Sequence, residues 1–236
     1  MRMAGQVALV AGATGRIGAA VVAALRAEGA AVVPHGRRGA PGALAADLSL
    51  PGAAAALVAA TTARHGPPLL LVNLVHPPFS PRPLLEGGWE EQWLPGLLNG
   101  LRPAVELTRA VLPAMRDARF GRIVHVSGGL SARPAPGCAA YSAAKAALNM
   151  LARSTALEHG AEGVTCNVVA PGEVREADAA GDADFAAVNA MQRAAQAVPG
   201  TALPEEVAQA VLAFLDPAAR FLTGQVLYVN GGQVMP

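Results

Sequence analysis

Charge, cysteine and long apolar runs are all scarce in this chain, and each scarcity removes a class of function. Only 15% of the 236 residues are charged and the formal net charge is +1. The basic residues are dispersed rather than gathered into a stripe, so a nucleic-acid partner is not expected. The two cysteines, Cys138 and Cys166, have no metal-ligand spacing and suggest no disulfide framework. No bound metal is expected, and the expected compartment is a reducing cytoplasm. Glycine, proline or charge interrupts every apolar stretch before it reaches bilayer-spanning length, so no membrane role is expected. Met1-Arg-Met-Ala-Gly5 runs straight into an apolar strand, and no signal peptide is expected. Linkers, charge blocks and repeats of solenoid period are missing too, so residues 1–236 read as one domain.

What is abundant is apolar surface. A hydrophobic fraction of 53% describes strands covered on both faces and an oligomer interface. Strand-like stretches fall at 7–11, 30–34, 69–73, 122–127, 164–169 and 225–229, with a short one near 43–46. Helix-like stretches fall between them at 17–28, 52–65, 89–116, 139–159 and 204–215. The alternation predicts βαβ units: an α/β fold with a doubly wound, mostly parallel sheet of about seven strands and helices on both faces. Ligands in such folds bind beyond the carboxyl ends of the strands, and that is where the informative residues cluster.

The first is a glycine-rich turn, Gly12-Ala-Thr-Gly15-Arg-Ile-Gly18, between the first strand and helix. Glycines permit a tight turn and close approach of backbone to a diphosphate, and a helix N-terminus offers its free N–H groups to that anion. The second is Tyr141-Ser-Ala-Ala-Lys145 inside the alanine-rich run 137–160. Residues i and i+4 share a helix face. A lysine cation beside a phenol favours the phenolate, so the tyrosine pKa is expected to fall and to make a general acid/base near neutral pH.

Further stretches complete a pattern that resembles the short-chain dehydrogenase/reductase family over essentially the whole chain: Ala46-Asp47-Leu48-Ser49, Asn167-Val-Val-Ala-Pro171-Gly172, and Phe221-Leu-Thr-Gly-Gln-Val-Leu-Tyr-Val-Asn-Gly-Gly232. The resemblance implies a Rossmann-like fold, a homotetramer or dimer, and a dinucleotide held by Gly12, Thr14, Gly15, Arg16, Ile17, Asp47, Leu48, Asn73, Pro171, Gly172 and Val174, together with Tyr141 and Lys145. It also implies a substrate lid at about 173–200. After the second strand comes Gly36-Arg37-Arg38, where a NAD-preferring member would carry an acid for the ribose 2′-hydroxyl. A guanidinium fork suits a 2′-phosphate, so Arg37, with Arg16 as a second contact, predicts NADP(H) over NAD(H).

The chain also departs from the family pattern. The family site is an Asn-Ser-Tyr-Lys set. Counting back from Tyr141 puts the serine position at Gly128, with Ser127 one residue early and so facing the other way in a strand. The asparagine position is Gly100, beside Asn99. Asn73-Leu-Val-His76 stands for Asn-Asn-Ala-Gly, Glu176 takes a threonine position, and Arg16 replaces the second glycine of the shorter turn. Ser127, Ser131, Asn99 and His76 are open as replacements, and Phe79, Trp89, Trp93 and Cys138 as wall. The leading expectation is an NADP(H)-dependent oxidoreductase in which Tyr141 gives a proton to a carbonyl or conjugated group of a small apolar molecule. A dehydratase, isomerase or cyclase using Tyr141 and Lys145, or a non-catalytic binding protein, are the alternatives.

Overall fold

The computed structural model describes every residue except 77, 78, 80, 175–182 and 236. Seven parallel strands form one sheet in the order β3-β2-β1-β4-β5-β6-β7. They are β1 (Val7–Ala11), β2 (Ala31–Gly36), β3 (Leu44–Ala45), β4 (Leu70–Asn73), β5 (Gly121–Val126), β6 (Val164–Pro171) and β7 (Val226–Val229). The helices are α1 (Arg16–Ala27), α2 (Ala53–His65), α3 (Leu94–Gly100), α4 (Arg102–Asp117), α5 (Ala139–His159), α6 (Ala183–Ala194) and α7 (Pro204–Leu215).

Successive strand residues face opposite sides, and here both sides are apolar. Val10, Leu70, Val72, Val124 and Val126 point into a core with Val21, Leu25, Val211 and Leu215 of α1 and α7. Leu9, Leu71, Ile123 and Val168 point the other way, toward Leu57 of α2, Leu107 and Val111 of α4, and Ala152 of α5. The sheet reverses its winding between β1 and β4, and the crevice that opens there at the strands' carboxyl ends is the ligand position of such folds.

The opposite end of the sheet is closed by Arg122 at the start of β5, only 3% exposed. Its guanidinium donates to the main-chain oxygens of Gly121 (2.9 Å), Gly163 (3.2 Å) and Pro217 (3.0 Å) and lies 4.4 Å over the Phe120 ring. Helix α7 starts as its residues direct, with Pro204 in the first turn and Glu206 accepting from the Leu203 N–H at 2.7 Å.

Two elements differ from the sequence reading. The long helix at 89–116 is broken into a π-helical turn (Trp89–Trp93), α3 and α4, with Leu101 at the joint. Pro103 is the cause: it has no N–H for the carbonyl four residues back, and it fits the first turn of a helix better than an interior. The stretch 173–200, expected as a lid, contains a helix, α6, whose Arg193 pairs with Glu173 just beyond β6.

Candidate active site

At the dinucleotide end, main-chain geometry demands the glycines. Gly12 has φ +84°, and a Cβ there would lie 3.0 Å from the carbonyl carbon of Leu74. A Cβ on Gly18 would meet the Gly12 oxygen at 2.4 Å. The Gly12 and Ala13 N–H groups both donate to the His35 carbonyl, which pins the turn to the end of β2. Gly15 precedes α1 and no side chain caps the helix, so the cradle and the positive end of the helix dipole are left for an anion. Thr14 sits over the end of β2, where a Cβ on Gly36 would be 2.4 Å from its methyl group. A side chain at Gly36 would therefore require Thr14 to shift.

Arg37 is exposed just beyond Gly36. The Asp47 carboxylate accepts from the Ser49 hydroxyl (2.6 Å) and N–H (3.0 Å); these bonds, and then the charge of Arg37, hold it below the usual carboxylate range. Leu48 is buried beside it. Ile17 packs against the core, and Arg16 begins α1. Pro171 ends β6, the Gly172 N–H donates to the Val229 carbonyl, and Val174 forms a single parallel bridge with Ala202. The residues present fit a dinucleotide: a cradle with no room for Cβ atoms, an uncapped helix N-terminus and a basic loop in place of an acid.

Beside this groove lies the proton-transfer corner. Helix α5 places Tyr141 half-buried, with the Phe79 ring edge-on at 5.0 Å and an interplanar angle of 89°. Lys145 is 1% exposed; its Nζ donates to the Val126 carbonyl at 3.0 Å and lies 5.8 Å from the Tyr141 ring centroid. The expected lowering of the tyrosine pKa is not found. Burial, with the Cys138 thiol as a smaller cause, pushes Tyr141 up to about 12, and burial brings Lys145 down to about 7. A lysine short of full charge is a weak partner for a phenolate, so desolvation outweighs attraction. Tyr141 holds its proton at neutral pH, as a donor requires.

A Cβ on Gly128, the serine position expected from the count, would lie 3.4 Å from the Tyr141 hydroxyl. Ser127 does not replace it, because its hydroxyl is turned into α5 and donates to the Lys145 carbonyl at 3.2 Å. Ser131 accepts from the Asn149 amide at 3.1 Å, and Asn99 donates back to the Pro95 carbonyl at 2.8 Å. Gly100 is buried at the end of α3, His76 is exposed after β4, and Glu176 lies outside the described residues. Cys138 is 1% exposed and its pKa is raised by burial, which marks an inert thiol. An open cleft leads to Tyr141, lined by Phe79, Pro81 and Pro95 and by the polar side chains of Arg82, Glu91 and Gln92. Among the described residues no three His, Cys, Asp or Glu side chains gather as metal ligands, and no helix is long and apolar enough to cross a membrane.

One supporting group is not among the residues the sequence singles out: His125, fully buried in β5. It pairs laterally with Asn73 across β4 and β5. The Asn73 amide oxygen accepts from the Val75 N–H, so its nitrogen donates to His125 Nδ1 at 3.4 Å. The proton of the neutral ring is then on Nε2, which donates to Thr108 at 3.3 Å. This chain of bonds holds the loop under the Gly12 turn. A polar residue in the middle of an apolar strand was the available signal, but only strand register identifies its partner.

With this geometry in view, the chain belongs to the short-chain dehydrogenase/reductase family. Residues 10–233 match the family model described as enoyl-(acyl carrier protein) reductase. The 3-oxoacyl-[acyl-carrier-protein] reductase FabG of Vibrio cholerae is 34% identical over the full length of both chains. The FabG of Escherichia coli is 32% identical, again over all of both chains. Among solved structures, a blue fluorescent protein from a metagenomic library, crystallised in complex with NADPH, has a TM-score of 0.88 over the whole of both chains at 26% identity.

Proposed function

We propose that this chain is an NADPH-dependent reductase of a carbonyl group on a small, largely apolar molecule. The observation that carries the reading is the protonated Tyr141 hydroxyl lining a cleft, beside a turn whose glycines leave a dinucleotide-shaped cradle. The NADPH-bound neighbour and the FabG relatives support the same chemistry. Gly12, Thr14, Gly15, Arg16 and Ile17 hold the diphosphate, and Asp47 and Leu48 border the adenine. Arg37 reads the 2′-phosphate. Asn73, Pro171, Gly172 and Val174 border the nicotinamide. When bound, NADPH supplies the hydride. Tyr141 directs its O–H at the substrate carbonyl oxygen and gives up the proton as the alkoxide forms. Lys145 spends one N–H on Val126 and has further donors for ribose hydroxyls.

Titration of the purified protein with NADPH and NADH, followed by a ketone screen at the absorbance of the reduced nicotinamide, tests this. Tight NADPH binding and its oxidation by ketones are expected. Product formation without NADPH consumption would move Tyr141 and Lys145 to dehydration, isomerisation or cyclisation, and no activity with either would leave a binding protein. A homo-oligomer follows from the outer face of α5, where Met150 is 57% and Leu157 87% exposed in the single chain. A clean monomer in light scattering would refute it. A reducing cytoplasm suits the two free thiols, Cys138 and Cys166.

A further inference from the structure

A carbonyl that becomes an alkoxide needs more than one hydrogen-bond donor for fast turnover, and the loss of one donor typically costs about 10²–10³ in rate. Tyr141 is one donor. Among the candidate replacements, Ser127 donates to the Lys145 carbonyl, Asn99 donates to the Pro95 carbonyl and Ser131 accepts from Asn149, and neither Asn99 nor Ser131 has an atom within 4 Å of a Cβ on Gly128. The buried amides of Asn230 and Gln233 lie nearer Gly129: a Cβ there would approach them at 3.4 and 3.1 Å, whereas neither has an atom within 4 Å of a Cβ on Gly128.

What Gly128 leaves in front of the main chain is space. The nearest atoms to a Cβ there are the Tyr141 hydroxyl at 3.4 Å and the Pro171 carbonyl oxygen at 3.8 Å, which are ordinary contact distances. A Cβ fits there, between a donor and an acceptor. In the adjoining cleft the Phe79 ring sets an aromatic edge against Tyr141.

We propose that Gly128 leaves the second donor to the substrate: the chain prefers ketones whose own hydroxyl is hydrogen-bonded to the carbonyl oxygen in a six-membered ring, as in an ortho-hydroxyaryl ketone. This rests on the reductase reading. The hydroxyl oxygen takes the place a serine would fill, and its proton polarises the carbonyl without any reorganisation of the protein. The electron balance is that of any ketone reduction: the carbonyl carbon accepts a hydride, its oxygen accepts the Tyr141 proton, and reduced nicotinamide leaves oxidised. The substrate hydroxyl keeps its own proton.

The test compares 2′-hydroxyacetophenone with 2′-methoxyacetophenone, which fills the same space but has no proton to give. The ratio of kcat/KM for the pair is measured in the wild-type protein, Gly128→Ser and Gly128→Ala. Intrinsic reactivity cancels when ratios are compared between proteins. The wild type is expected to favour the hydroxy ketone at least about a hundredfold, the low end of one donor's worth. Gly128→Ser should raise turnover of the methoxy ketone about 10²-fold and collapse the preference. Gly128→Ala should slow the hydroxy ketone without helping the other. Calorimetric binding of the two ketones should show the same loss of preference in Gly128→Ser. NADPH affinity equal to wild type certifies that each variant is folded. If Gly128→Ser keeps the wild-type ratio in rate and binding, the inference falls and the reductase reading stands. If NADPH binds but no variant reduces either ketone, the reductase reading falls and takes the inference with it.

Discussion

Two sets of glycines line one groove, and they are glycine for different reasons. Gly12 and Gly18 are required by the backbone: one has a left-handed φ and a carbonyl carbon where a Cβ would go, and the other has a carbonyl oxygen 2.4 Å from that point. Gly128 has φ 177° and ψ 157°, an extended conformation open to any residue, with no atom nearer than 3.4 Å to a Cβ. At the diphosphate end the residue type follows from the fold. At the carbonyl end it is a choice about chemistry. A scaffold can therefore stay intact while the reaction site beside it changes.

The sharpest way to break this contrast is at Tyr141. Tyr141→Phe should lower NADPH-dependent turnover by about 10²–10⁴, the usual worth of a general acid, while the NADPH dissociation constant stays put. A parallel loss of NADPH affinity would mean that the two ends of the groove are not separable.

His125 gives the next largest effect, read as stability. Burial, and then the charge of Lys145, bring its pKa from 6.5 to about 4. Between those values the unfolded chain binds more protons than the folded one, so stability is full above pH 6.5 and drains as pH falls toward 4. The loss amounts to about 3 kcal/mol. Denaturant unfolding across that range should show the slope in wild type and a flatter one in His125→Asn. An unchanged slope would remove His125 as the group responsible.

Paired alanine substitutions sharpen the glycine comparison directly. Gly18→Ala should destabilise by about 1–3 kcal/mol, as overpacking does, whereas Gly128→Ala should stay within about 0.5 kcal/mol of wild type. Equal costs in chemical denaturation would show that Gly128 is structural after all. The smallest effect is expected at Arg37. Arg37→Ala should cut the NADPH/NADH affinity ratio about tenfold, the worth of a charge-assisted hydrogen bond, and a ratio that does not move would assign the 2′-phosphate to another cation.

Features imposed by the main chain were legible in the sequence. The spacing of Gly12, Gly15 and Gly18, the alternation of strands and helices, and the shared face of Tyr141 and Lys145 all follow from short-range geometry. The expectation of a glycine at the serine position came from counting back from Tyr141, and a Cβ on Gly128 would lie 3.4 Å from the Tyr141 hydroxyl. Long-range burial was not legible. Spacing placed a cation near a phenol but could not show that Lys145 would be sealed in at 1% exposure, and that reversed the expected pKa shift. The partnership of His125 with Asn73 depends on how β4 and β5 register, and the break at Leu101 on a proline read too readily as part of a continuous helix.

The extended backbone at Gly128 has a consequence for how this protein can evolve. Glycine and serine codons such as GGC and AGC differ by one base, and the conformation accepts either residue. Nothing in the main chain would have to be repaired after such a mutation, so the route between a site that lends its substrate a hydroxyl and one that borrows it can be crossed in a single step, in either direction.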